Sequence, residues 1–109
     1  MHPNIEAKAK VFKALGHPSR LAIVEALCDG ELCVCDIVPV VGRDISTVSK
    51  HLSLLKEAGI LQHSKRGTNV YYRLAMDCVP GFLSCLENFL GKRFEEQARA
   101  YASNSIKKM

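Results

Sequence analysis

Read as a string of apolar and polar positions, the chain changes period once. From about Asn4 to Leu15, Ile5, Ala9 and Phe12 recur at helical spacing, and Gly16 closes the segment. Pro18 stands where a first helical residue belongs, and PSRLAIVEALC predicts a second helix with Leu21, Val24, Leu27 and Cys28 on one side, stopped by Gly30. CDIVPVV predicts a third helix with Ile37, Val38 and Val41 turned inward; Pro39 requires that helix to be short or irregular at its start, and GRD breaks it. A fourth helix runs from about Ser46, a cap or first-turn residue, to Ala58, with Gly59 beyond its end. The period then drops to two. ILQHSKRG and TNVYYRLAM predict two strands around a basic turn, Arg66-Gly67-Thr68-Asn69, with Val70, Tyr72 and Leu74 alternating against Tyr71 and Arg73. Asp77 and Pro80 open a last helix, about Val79 to Ala102, and the tail SNSIKKM is expected to fray.

The expected fold is therefore mainly α with a small β-hairpin, a winged helix-turn-helix in which a basic hairpin follows two short helices. At about 100° per residue, Val48, Leu52, Leu55 and Ala58 form one stripe of the fourth helix, while Ser46, Ser49, Lys50 and Ser53 occupy the opposite face. Thr47 and His51 lie toward one flank. Small hydroxyl residues stabilise an exposed helix poorly but permit close approach to phosphates and base edges. Ser46, Thr47, Ser49, Lys50 and His51 are thus candidate DNA contacts, and Lys65 and Arg66 on the hairpin can reach a neighbouring groove or backbone. The bland alternative is a solvated helix face beside an ordinary basic turn.

The last helix carries Phe82, Leu86, Phe89, Leu90, Phe94, Ala98 and Tyr101, a stripe wide enough to be hard to bury within 109 residues. This predicts a single domain, residues 1–109, whose terminal helices form a homodimer interface. A two-fold dimer presents its reading helices to successive major grooves about 34 Å apart, so the expected partner is double-stranded operator DNA with an inverted repeat.

Composition adds little to this picture. The net charge of +4, from 15 basic and 11 acidic residues, permits nucleic-acid binding without demanding it. No apolar run approaches the roughly 18 residues of a membrane span, and MHPNIEAKAK has no apolar signal core, so a cytoplasmic location is expected. No Ser/His/Asp or paired-carboxylate arrangement points to catalysis, and the four histidines show no pairing on one helix face. A small thiol oxidoreductase, the competing class, lacks the expected C-x-x-C before a helix.

The five cysteines change the picture more. An odd count without a secretion signal argues for reduced thiols rather than a disulfide framework. Cys33 and Cys35, beside Asp36, are spaced to offer two soft ligands to one ion. Two helical residues at that spacing point about 200° apart, so the first turn of the third helix is expected to be absent or to unwind when both sulfurs bind. Packing as small hydrophobes is the other reading of the pair. Cys78, just ahead of the last helix, is freer to be a ligand; Cys85 and Cys28 look like packing residues.

ALGHPSRLAIVEAL (Ala14 to Leu27), ELCVCDI (Glu31 to Ile37), STVSKHLSLLKEAGIL (Ser46 to Leu61) and RGTNVYYRL (Arg66 to Leu74) together resemble the ArsR/SmtB family of metal- and metalloid-responsive repressors. The resemblance implies a homodimeric winged-helix repressor that leaves its operator when an inducer binds. ELCVCDI is similar to arsenite- and antimonite-sensing members, which implies As(III) or Sb(III) as inducer, Cys33 and Cys35 as ligands, and no permanent cofactor. Such sensors often carry a further cysteine where this chain has Val38. The third ligand is left among Cys78, Cys28, a solvent oxygen or a small thiol. A cadmium, lead or zinc trigger, or redox or persulfide chemistry at the same thiols, are the alternatives. The N-terminal segment lacks the cysteines of cadmium and lead sensors, and no histidine follows Asp77 as in zinc and nickel sensors.

Overall fold

The structure, a computed structural model, describes residues 2–107. Its elements follow the order α1 (Pro3–Leu15), α2 (Pro18–Leu27), β1 (Leu32–Cys33), α3 (Val34–Val41), α4 (Ile45–Glu57), β2 (Leu61–Arg66), β3 (Asn69–Leu74) and α5 (Val79–Lys107). They fall into two compact units, one ending at Asp77 and the other beginning at Cys78.

In the first unit α2, α3 and α4 pack on one another, α1 lies against α2 and α4, and the sheet lies against α4. The core is Leu15, Ile23, Val24, Leu27, Ile37, Val48, Leu52, Leu55, Ile60 and Leu61, all at most 5% exposed. Apolar area removed from water at this density is the main stabilising contribution available to so small a unit. The helices start and stop for local reasons. His2 and His17 are the N-caps of α1 and α2, where the Nδ1 atoms accept the backbone N–H groups of Asn4 and Ser19, each at 3.0 Å. Proline follows each cap, where its missing N–H costs nothing. α3 ends at Gly42, whose φ of 70° allows its N–H to reach the Val38 carbonyl at 3.0 Å.

Two features depart from expectation and one meets it. α4 begins one residue before Ser46, at Ile45. Its cap is Asp44, whose Oδ1 accepts the Thr47 hydroxyl at 2.6 Å, so Ser46 is a first-turn residue. Pro39 lies inside α3, which at eight residues is short, as expected of a helix holding that proline; the hydrogen bond it forgoes is the one to the Cys35 carbonyl. The hairpin is not alone. β1 pairs antiparallel with β3, Leu32 opposite Tyr72 and Cys33 opposite Tyr71, making a three-stranded sheet of order β1-β3-β2. A strand of two residues has no alternation to read, which is why the pattern alone does not reveal it. The hairpin closes through Gly67 and Thr68, with Arg66 opposite Asn69. Gly67, at φ 62°, supplies the positive φ that two-residue hairpin turns need.

The second unit is α5, which continues past Ala102 to Lys107. The tail SNSIKKM, expected to fray, is instead helical through Lys107, and Lys108 and Met109 lie outside the described residues. Val79 and Leu83 are buried, whereas Leu86, Phe89, Leu90 and Phe94 are between 37% and 63% exposed. Among the described residues no helix is long and apolar enough to cross a membrane.

Candidate functional site

α4 separates its faces as the 3.6-residue period requires. Val48, Leu52 and Leu55 are at most 1% exposed, while Ser46, Ser49, Lys50 and Ser53 face solvent. Thr47 is half-buried and its hydroxyl is engaged with Asp44. That bond holds the Asp44 carboxyl below its ordinary value of 3.8. His51 is half-buried, its ring centroid 4.6 Å from that of His17. Burial lowers the His51 pKa below its ordinary 6.5, and the charges of His17, Arg20 and Arg43 lower it further. Lys65 is exposed near the end of β2. Arg66, also exposed, forms an ion pair with Glu31, Nη2 to Oε1 at 2.5 Å, and its guanidinium lies 4.6 Å from the Tyr71 ring centroid.

The thiol pair sits at the junction of β1 and α3. Cys33 is 5% exposed and is the N-cap of α3, with extended backbone at φ −70°, ψ 151°; Cys35 is helical and exposed. The two sulfurs are joined as a disulfide, with the Cα atoms 5.2 Å apart. The helical turn is absent at Cys33, the first of the two expected alternatives, whereas the disulfide departs from the reduced thiols expected. Only one of the two residues belongs to the helix, and the extended cap turns its sulfur back toward the first turn, where it accepts the Cys35 N–H at 3.2 Å. A carboxylate oxygen of Asp36 completes a group whose ligand atoms all lie within 4.8 Å of one another. Once the disulfide is reduced, two thiolates and a carboxylate suit a thiophilic ion better than a hard one.

The other cysteines are placed differently. Cys28 closes α2 and its thiol donates to the Val24 carbonyl at 3.4 Å. Cys78 and Cys85 are exposed and belong to the second unit, and the group of three in the first unit is made without them.

Thiol pair and reading helix share a cleft. Cys33 and Cys35, Ile45 and Ser49 of α4, and Asn69 and Tyr72 of the hairpin line a single open depression of about 380 Å³. The sequence reading missed Glu31, Asp44 and Tyr71. Asp44 was findable, since aspartate three residues before threonine at a helix start is a capping pattern. Glu31 was not, because its pairing with Arg66 depends on tertiary placement.

Residues 17–63 match the profile of the family described as "Bacterial regulatory protein, arsR family". An uncharacterised HTH-type transcriptional regulator of Methanocaldococcus jannaschii is 37% identical over 83 residues, 75% of this chain and 93% of that protein. A homolog of the cadmium resistance regulatory protein CadC from Staphylococcus aureus is 48% identical over 67 residues, and the arsenical resistance operon repressor of Escherichia coli is 43% identical over 67. Each of these two matches covers 61% of this chain and little more than half of the relative, 55% and 57%. Among solved structures, the homodimeric winged helix-turn-helix DNA-binding domain Mb0332 of Mycobacterium bovis superposes with a TM-score of 0.76 at 30% identity, covering 85% of this chain and 86% of that one. The chain thus belongs to the ArsR/SmtB family of winged-helix, DNA-binding transcriptional regulators.

Proposed function

We propose that the protein is a cytoplasmic repressor that binds an inverted-repeat operator as a homodimer and is released when As(III) or Sb(III) binds Cys33 and Cys35. The observation that carries this reading is the shared cleft: the two cysteines line the same depression as Ile45 and Ser49 of the reading helix and Asn69 and Tyr72 of the hairpin. A dithiol-class reductant first opens the Cys33–Cys35 disulfide, taking on the disulfide itself and leaving two thiols that exchange onto As(III) or Sb(III). The third position is left to Cys78, Cys28, a solvent oxygen or a small thiol, and the Asp36 carboxylate, whose oxygen lies within 4.8 Å of both sulfurs, joins that set. Ser46, Thr47, Ser49, Lys50 and His51 meet the major groove, and Lys65 and Arg66 meet the adjacent backbone. The exposed stripe on α5, with α1, supplies the dimer interface, as the homodimeric Mb0332 domain supports.

The test is a titration of operator release with arsenite, antimonite, cadmium and zinc, on an operator selected from a random duplex pool. Arsenite and antimonite are expected to release the wild type, while Cys33→Ser and Cys35→Ser still bind DNA and ignore both. Normal release of the double variant removes this site. A second reading has one observation in its favour: the sulfurs of Cys33 and Cys35 are joined. In that case an oxidant of the peroxide or persulfide class takes two electrons from the pair, and release follows peroxide rather than arsenite. Release by cadmium alone would favour the CadC-like relatives instead.

A further inference from the structure

We propose that Glu31 is a positioning residue that sets how far Arg66 is available to DNA, and that it does so on behalf of the thiol pair. The inference rests on the reading of Arg66 as a backbone contact and of Cys33 and Cys35 as the sensing pair.

Arg66 is held twice, by the Glu31 carboxylate at 2.5 Å and by the face of Tyr71 at 4.6 Å. Both holders follow the position of Cys33. Glu31 stands two residues before it, and Tyr71 is its partner across the β1–β3 ladder. β1 is only two residues long, so few ladder bonds resist its displacement. A movement of the Cys33 sulfur toward or away from Cys35 thus reaches the end of β2 through one short strand. A guanidinium neutralised by a carboxylate offers less charge to a phosphate, and DNA must compete with Glu31 for the same donors. The pair is exposed enough, at 59% and 28% of the two side chains, to be weak and exchangeable. In the structure the sulfurs are joined and Arg66 rests on Glu31. On this proposal the wing's arginine is withheld in the joined state.

The test is a cycle of Glu31→Gln, Arg66→Gln and the double variant, with Asp29→Asn as a charge control. Asp29 is an exposed acid just ahead of Glu31, with no contact to Arg66 among those described. Operator affinity and its salt slope are measured on fully reduced protein and again after phenylarsine oxide, whose As(III) exchanges its oxygen for the sulfurs of two neighbouring thiols, the oxygen leaving as water with the two thiol protons and no change of oxidation state. Mass mapping assigns the adduct. Reduced Glu31→Gln is expected to bind about threefold more tightly than wild type, with a steeper salt slope, and to lose less affinity on treatment. Asp29→Asn should leave the ratio of treated to untreated affinity unchanged, and Glu31→Gln should have no effect once Arg66 is glutamine. Equal shifts from Glu31→Gln and Asp29→Asn, or an effect of Glu31→Gln that persists without Arg66, would overturn the proposal. Arg66→Gln with unaltered affinity and slope fails the underlying contact, and the proposal with it. An inert response of wild type to the adduct overturns the link from the thiol pair to Glu31 together with the sensing reading, while the reduced-state cycle separately decides whether Glu31 restrains Arg66.

Discussion

Two apolar stripes at the same helical spacing meet different fates. On α4, Val48, Leu52 and Leu55 are at most 1% exposed; on α5, Phe89 and Phe94 are 59% and 63% exposed. Both stripes follow from the same 3.6-residue period. The difference teaches that periodicity reports a face in want of cover, not what covers it. The α4 stripe is matched by α2, α3 and the sheet within its own unit. The α5 stripe is exposed in a single chain, and a second copy is the cover we propose for it.

Removing core contacts from α4 sharpens the contrast most. Leu52→Ala should destabilise the first unit by about 2–5 kcal/mol, read as a lower denaturant midpoint, because the site is fully packed and collapses incompletely. A change below about 1 kcal/mol would show that the α4 face is not the tight core described. Next in size is the α5 stripe. Phe89→Glu with Phe94→Glu should leave the fold of the first unit intact by circular dichroism while shifting sedimentation from dimer to monomer and weakening operator binding at least about tenfold. A variant that remains dimeric would break the comparison at its second term.

Smaller effects separate the two faces of α4 itself. Lys50→Ala should weaken operator binding and lower the salt slope by about one ion, with no loss of stability. An unchanged slope removes Lys50 from the contact set. The smallest expected effect is a pH dependence. The folded pKa of His51 lies below its ordinary 6.5, so between the two values the unfolded chain holds the extra proton. Stability is then complete above pH 6.5, falls as pH drops from there toward the folded value, and levels off below it. His51→Gln should flatten that part of a melting-temperature profile; a profile identical to wild type would show that the desolvation beside His17 has no thermodynamic weight.

The order of elements was legible because each long element carries its own period and its own stops. Gly16 and Pro18, Gly42, Gly59 and the basic turn at Gly67 punctuate the chain where local sterics require it. Both faces of α4 were legible for the same reason, and the closeness of Cys33 and Cys35 followed from their spacing. β1 was not legible, since two residues have no pattern, and neither was the role of Glu31, whose partner Arg66 is 35 positions away in the chain.

By itself, then, the amino-acid order determined which segments coil, which extend and which faces are apolar, because those depend on neighbours within a turn or two. Only the folded first unit decided that Cys33 caps α3 while Cys35 lies within it, that their sulfurs meet without unwinding, and that they share a cleft with the reading helix and hairpin. Such placements depend on packing between residues far apart in the chain, where helix and strand periods carry no information.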